Sequence, residues 1–103
     1  MPRKKALPGL PLSIDSYLGP VDVRLVDSVE KGTCLGRFLT SERLIELDRN
    51  QSLVQLWHTL FHEEWHLILW DTGGQLSKKA EEHSADVYAT WRVREMLRVF
   101  KPY

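Results

Sequence analysis

Residues 62–66 read His-Glu-Glu-Trp-His, an instance of the pattern H-E-x-x-H. On a helix, positions i and i+4 share one face about 5–6 Å apart, so the imidazoles of His62 and His66 can reach a single ion. Zinc accepts neutral imidazole nitrogen at about 2.0–2.1 Å and lowers the pKa of a bound water towards about 7. Glu63, beside the first ligand, is placed to take a proton from such a water, which is hydrolytic chemistry. His58 lies one turn earlier. The row from His58 to His66 stretches over about 12 Å of helix rise, too far for one ion to hold all three rings. His58 is therefore read as a neighbour of the site.

A catalytic zinc usually has three protein ligands and one open position. The next helical segment offers Glu81, Glu82, His83 and Asp86. Projected at helical period, Glu82 falls in line with Ala85, Ala89, Val93 and Phe100, whereas Glu81 is turned about a quarter-circle away. A carboxylate on an apolar face is costly unless it is paired or metal-bound, which favours Glu82 as the third ligand. Asp86, one turn later, can accept a hydrogen bond from the outer nitrogen of a zinc-bound histidine and so fix its tautomer. Ion pairs of Glu82 and Asp86 with Arg92 or Arg94 are the alternative reading.

Two helices and a small sheet must position these groups. The first helix is expected over about residues 53–70, with Ser52 as N-cap and Gly73-Gly74 after its end. Its apolar face carries Leu53, Leu56, Trp57, Leu60, Phe61, Leu67 and Ile68. The second is expected over about 77–100, capped by Ser77. Alternation at Val21, Val23 and Leu25 predicts a half-buried strand, and the stretches 34–39 and 44–47 predict two more. The expected fold class is α+β, a three-stranded antiparallel sheet packed on two long helices. Residues 13–18 are expected as one helical turn. Residues 1–12, with Pro2, Pro8, Gly9 and Pro11, are expected as a flexible arm preceding one domain over 13–103.

The order H-E-x-x-H, then E-x-x-x-D, resembles the gluzincin metallopeptidases. More narrowly, Thr59-Leu60-Phe61-His62-Glu63 followed by Glu82-His83-Ser84-Ala85-Asp86-Val87-Tyr88-Ala89 resembles the ImmA/IrrE group of minimal zincins. That resemblance covers about residues 21–98, with Leu44-Ile45-Glu46-Leu47-Asp48 in the place of the strand before the catalytic helix. It implies a minimal zincin architecture and one zinc per chain held by His62, His66 and Glu82. Glu63 becomes the general base and Asp86 a partner behind a ligand. A protein or peptide substrate would lie extended along the edge strand. This chain departs from the pattern at Glu64 and Trp65, where the group carries a small or apolar pair; Trp65 is expected to narrow the cleft. Tyr88, Arg92 and Tyr17 are candidates for stabilising the oxyanion. Two other readings are a deformylase-like hydrolase using Cys34 as a metal ligand, and a catalytically weak zincin-fold module that binds a partner protein.

Composition bounds these readings. Fourteen basic and fourteen acidic residues give a formal net charge of zero, so general attraction to nucleic acid or anionic membrane has no support. A single cysteine fits a reducing compartment, and no apolar run approaches the roughly 20 residues that span a bilayer. The expected location is the cytoplasm. Trp91, projected opposite the apolar stripe of its helix, and a half-covered sheet keep a protein interface, including a homodimer, among the expectations.

Overall fold

The computed structural model describes residues 3–102. Its elements, in order, are β1 (Lys5–Ala6), β2 (Ser13–Ser16), β3 (Gly19–Val26), a 3-10 turn (Glu30–Gly32), β4 (Gly36–Leu39), β5 (Leu44–Asp48), α1 (Leu53–Thr72), α2 (Lys78–Leu97) and β6 (Phe100–Lys101). The fold is α+β, two helices packed with a mixed sheet.

The sheet corrects the expectation of three antiparallel strands. It has four strands in the order β2-β3-β5-β4, and β5 runs parallel to β3 while β2 and β4 run antiparallel to their neighbours. Alternation reveals which side chains face the core but not which strand is the neighbour, so the parallel insertion of β5 leaves no mark in periodicity. The central place of β5 does show in its burial, with Leu44, Ile45 and Leu47 all covered. The expected helical turn at 13–18 is instead β2, which closes a hairpin on β3 through Gly19 at φ 119°.

Residues 3–12 also differ from the expected arm. Lys5–Ala6 pairs in parallel with Phe100–Lys101, Leu7 is buried, and Trp57 Nε1 donates to the Pro8 carbonyl at 2.8 Å. The segment both donates and accepts: the Leu7 amide donates to the Lys101 carbonyl at 3.1 Å, and Pro8, without an N–H, serves through its carbonyl. Positions 1, 2 and 103 of the expected spans lie outside the described residues.

Both helix starts are as the capping chemistry predicts. Ser52 Oγ accepts from the Gln55 amide and Ser77 Oγ from the Ala80 amide, each at 3.2 Å. Gly73 takes the left-handed conformation at φ 71° and ends α1 at Thr72, two residues beyond the expected end. The second helix is shorter than expected, and Phe100 falls in β6.

One face of the sheet packs against α1. Val21, Val23, Ile45 and Leu47 meet Leu56, Leu60 and Leu67, with Leu10, Ile14, Phe38 and Trp57 at the margins. Each fully buried aliphatic side chain contributes about 1.5–3 kcal/mol to folding, so this cluster fixes the helix on the sheet. Gly36 allows the close approach: a Cβ there would stand 2.7 Å from Thr59 Cγ2 and 3.0 Å from Leu47 Cδ2. Among the described residues, no helix is long and apolar enough to cross a membrane.

Candidate metal centre

The edge strand β4 and the two helices enclose a cleft of about 790 Å³. His62, Glu63 and His66 reach it from α1, Glu81, Glu82 and Asp86 from α2, and Gly36 to Phe38 from β4. On α1, the apolar positions face the sheet, so the histidines fall at the border between core and solvent.

His62, His66 and Glu82 converge. Their nearest ligand atoms all lie within 4.8 Å of one another. The two Nε2 atoms stand 3.2 Å apart, and the Glu82 carboxylate reaches His62 Nε2 at 3.2 Å and His66 Nε2 at 2.9 Å. Ligands at about 2.0–2.1 Å from a tetrahedral zinc stand about 3.3–3.4 Å apart, close to the separation of the two Nε2 atoms, while Glu82 turns Oε2 to His62 and Oε1 to His66.

The outer nitrogens also have carboxylate partners. His62 Nδ1 faces Asp86 Oδ1 at 2.8 Å, and His66 Nδ1 is hydrogen-bonded to Glu81 Oε2. An ionised carboxylate only accepts, so Asp86 and Glu81 favour the tautomer with the proton on Nδ1. In neutral rings, both Nε2 atoms then present lone pairs to each other and to the Glu82 carboxylate. Three lone pairs converging at about 3 Å repel unless a cation lies among them. The residues thus fit a divalent ion, with Glu63, Glu81, Glu82 and Asp86 adding negative charge around it.

Glu63 is only 7% exposed. Burial pushes its carboxyl pKa up; His66 and His62 pull it down, Glu82 raises it, and a hydrogen bond from the Phe38 backbone amide lowers it. That amide belongs to β4, so the free edge of the strand faces the acid. His58 hydrogen-bonds Thr90 Oγ1 at 3.3 Å and lines the cleft without joining the triad.

Several expected roles are placed elsewhere. Tyr88 and Arg92 do not line this cleft: both are hydrogen-bonded to Glu64, Arg92 with its Nη1 3.0 Å from Oε1. The Arg92 guanidinium also sits over the Phe61 ring, 4.3 Å from its centroid. The polar residue between the two histidines is therefore answered by a pair from α2. Burial, then the Glu64 carboxylate, push the Tyr88 hydroxyl up to about 12. Trp65 turns to α2, where Nε1 donates to Ser84 Oγ at 2.8 Å, so it does not narrow the cleft. Tyr17 is exposed on the hairpin between β2 and β3. Cys34 lines the cleft but lies outside the triad, its thiol 3.5 Å from Glu30 Oε2. Arg92 pairs with Glu64, and among the described residues neither it nor Arg94 pairs with Glu82 or Asp86, which are taken up by the histidines.

Two findings lay beyond sequence projection. Glu81 supports His66, although an ideal helical wheel turns it away from Glu82. The side chain of Glu82 is 52% exposed at the cleft rather than sunk in an apolar stripe. The available signal was the count of acids: three carboxylates within six residues facing two histidines that each need a carboxylate partner. No family model, curated protein or solved structure matches this chain.

Proposed function

We propose that this chain is a zinc-dependent metallopeptidase of minimal zincin type, hydrolysing a peptide bond in a protein or peptide laid extended along β4. The observation that carries the reading is the convergence of His62 Nε2, His66 Nε2 and a Glu82 oxygen, with both Nδ1 atoms committed to carboxylates. His62, His66 and Glu82 would hold the ion, Asp86 and Glu81 keep the rings in the required tautomer. When bound, zinc supplies Lewis acidity and an acidified water.

Glu63 serves as the general base. Its burial raises its proton affinity, the direction a general base in such a site needs, with His66 and His62 opposing the shift. β4 pairs with β5 on one side only, so its other edge, lining the cleft, offers backbone donors and acceptors to an extended chain. Cys34 lies outside the ligand triangle, which weighs against the deformylase-like alternative. The commitment of Tyr88 and Arg92 to Glu64 favours a second reading, a catalytically weak zincin-fold binding module. The single cysteine supports a reducing location such as the cytoplasm.

Elemental analysis of wild type, Glu82→Ala and Glu63→Gln tests the reading. One zinc per chain in wild type and Glu63→Gln, with loss in Glu82→Ala, is the expected result. Absence of zinc from the wild type after zinc is supplied would remove the metallopeptidase reading. Retained zinc without cleavage of any peptide in a diverse library would favour the binding module.

A further inference from the structure

Beyond the triad, the same cleft has an unequal character along its length. Gly36 lies against Thr59, and the Phe38 amide reaches Glu63, so β4 advances alongside α1 in the same direction. Past His66, the row on α1 continues one turn to Trp70, and the loop joining the helices adds Leu76. Both are largely open to solvent, Trp70 at 61% and Leu76 at 46%, yet both line the cleft. Neither belongs to the core cluster on the sheet.

The loop bearing Leu76 is held at both ends. Gly73 closes α1 in the left-handed conformation, the Gly74 amide donates to the Leu69 carbonyl at 2.9 Å, and Ser77 caps α2. Gly74 sits so close to Leu69 that a Cβ would meet Leu69 Cδ2 at 2.6 Å. An exposed indole and an exposed leucine on anchored backbone, one helical turn from a metal ligand, form a preorganised apolar wall. Such a wall gains from covering by another apolar group.

We propose that Trp70 and Leu76 form the side-chain subsite of this cleft, selecting a large apolar residue next to the scissile bond. The inference rests on the metallopeptidase reading and assigns it a substrate class: extended segments with a bulky aliphatic or aromatic residue at that position. The occupant follows from continuity, since a chain that spans the triad beside β4 must place a neighbouring side chain at the His66 end of the cleft.

Calorimetry on the zinc-loaded protein tests this with two hydroxamates, because a hydroxamate binds the metal without requiring turnover. Acetohydroxamic acid reports the metal site alone, and 3-phenylpropionohydroxamic acid adds an apolar group. The expected result is at least about tenfold tighter binding of the second probe to wild type. In Trp70→Ala/Leu76→Ala that preference should shrink to within about twofold, with acetohydroxamate affinity unchanged. Both side chains are exposed, so the fold should survive their truncation. Equal affinities in wild type, or a preference that persists in the double variant, would overturn the subsite while leaving the metal site standing. Failure of acetohydroxamate itself to bind would remove both readings together.

Discussion

His62 and His66 bring their Nε2 atoms to 3.2 Å while each Nδ1 is turned to a different carboxylate on α2, Asp86 for the first and Glu81 for the second. A single helix would therefore supply the third ligand of the proposed site and both outer partners. Removing either partner frees a ring to rotate or to move its proton to Nε2, where it would block the lone pair. Asp86→Ala and Glu81→Ala should each weaken zinc binding by about 10–100-fold. Glu81→Gln keeps an accepting oxygen and should cost less than Glu81→Ala. Competition against a chromophoric chelator reads these affinities directly, and unchanged values in both alanine variants would show that the carboxylates do not position the rings.

Gly36 is the point where the edge strand touches the site helix. An added methyl group would meet Thr59 Cγ2 at 2.7 Å, Leu47 Cδ2 at 3.0 Å and the Glu46 carbonyl at 3.2 Å. Backbone and buried side chains surround the position, so the strand must move. Gly36→Ala should destabilise the fold by about 1–3 kcal/mol, measured by urea denaturation. Gly9→Ala, with nothing within 4 Å of the added carbon, is the control. A Gly36→Ala protein as stable as wild type would mean that β4 is not tightly apposed to α1.

The grouping of His62 and His66 on one face was legible because its signals are local. His62, Glu63 and His66 are fixed by spacing on one helix, and Ser52, Ser77 and Gly73 mark the helix limits through capping chemistry. What escaped depends on how elements meet. The parallel pairing of β3 with β5 cannot be read from alternation, which is blind to neighbour order. A wheel turns Glu81 aside because it assumes one contact direction, whereas in the fold Glu82 faces both histidines and Glu81, beside it, reaches His66. Tyr88 and Arg92 have suitable chemistry for an oxyanion, yet Glu64, two residues before His66 and turned about 200° from it on the wheel, claims both.

The assignment of Tyr88 and Arg92 to Glu64 has its own consequence. Glu64 is mostly shielded, so removing its partners leaves a poorly solvated carboxylate. Arg92→Ala should lower stability by about 1–3 kcal/mol, through the lost ion pair and the lost cover over Phe61. Tyr88→Phe should lower it by about 1 kcal/mol. Neither should change zinc stoichiometry or the ratio of kcat to KM on any peptide that is cleaved. A selective fall in kcat with stability intact would instead return these two residues to the reaction.

Asp71, near the end of α1, accepts both terminal nitrogens of Arg43, at 2.6 and 3.1 Å, and the Leu18 amide at 3.2 Å. Arg43 itself sits at φ 50° in the turn before β5 and also donates to the Gly19 carbonyl at 3.0 Å. One carboxylate thus ties the β2–β3 hairpin and the β4–β5 turn to the helix that carries the histidines. The Arg43 guanidinium, against the opposing effect of burial and with the Leu18 amide among the lesser causes, holds the Asp71 carboxyl at about 2, against an ordinary value of 3.8. The folded pKa is depressed, so the folded state binds fewer protons than the unfolded chain across that interval. The resulting stabilisation is fully present above about pH 4 and is lost as pH falls towards 2. Asp71→Asn should therefore cost about 1–3 kcal/mol at pH 7. The gap from wild type should narrow as both are titrated below pH 4. Thermal unfolding at pH 7, 4 and 2.5 measures it, and a gap that stays constant down to pH 2.5 would show that the carboxylate charge does not hold this junction.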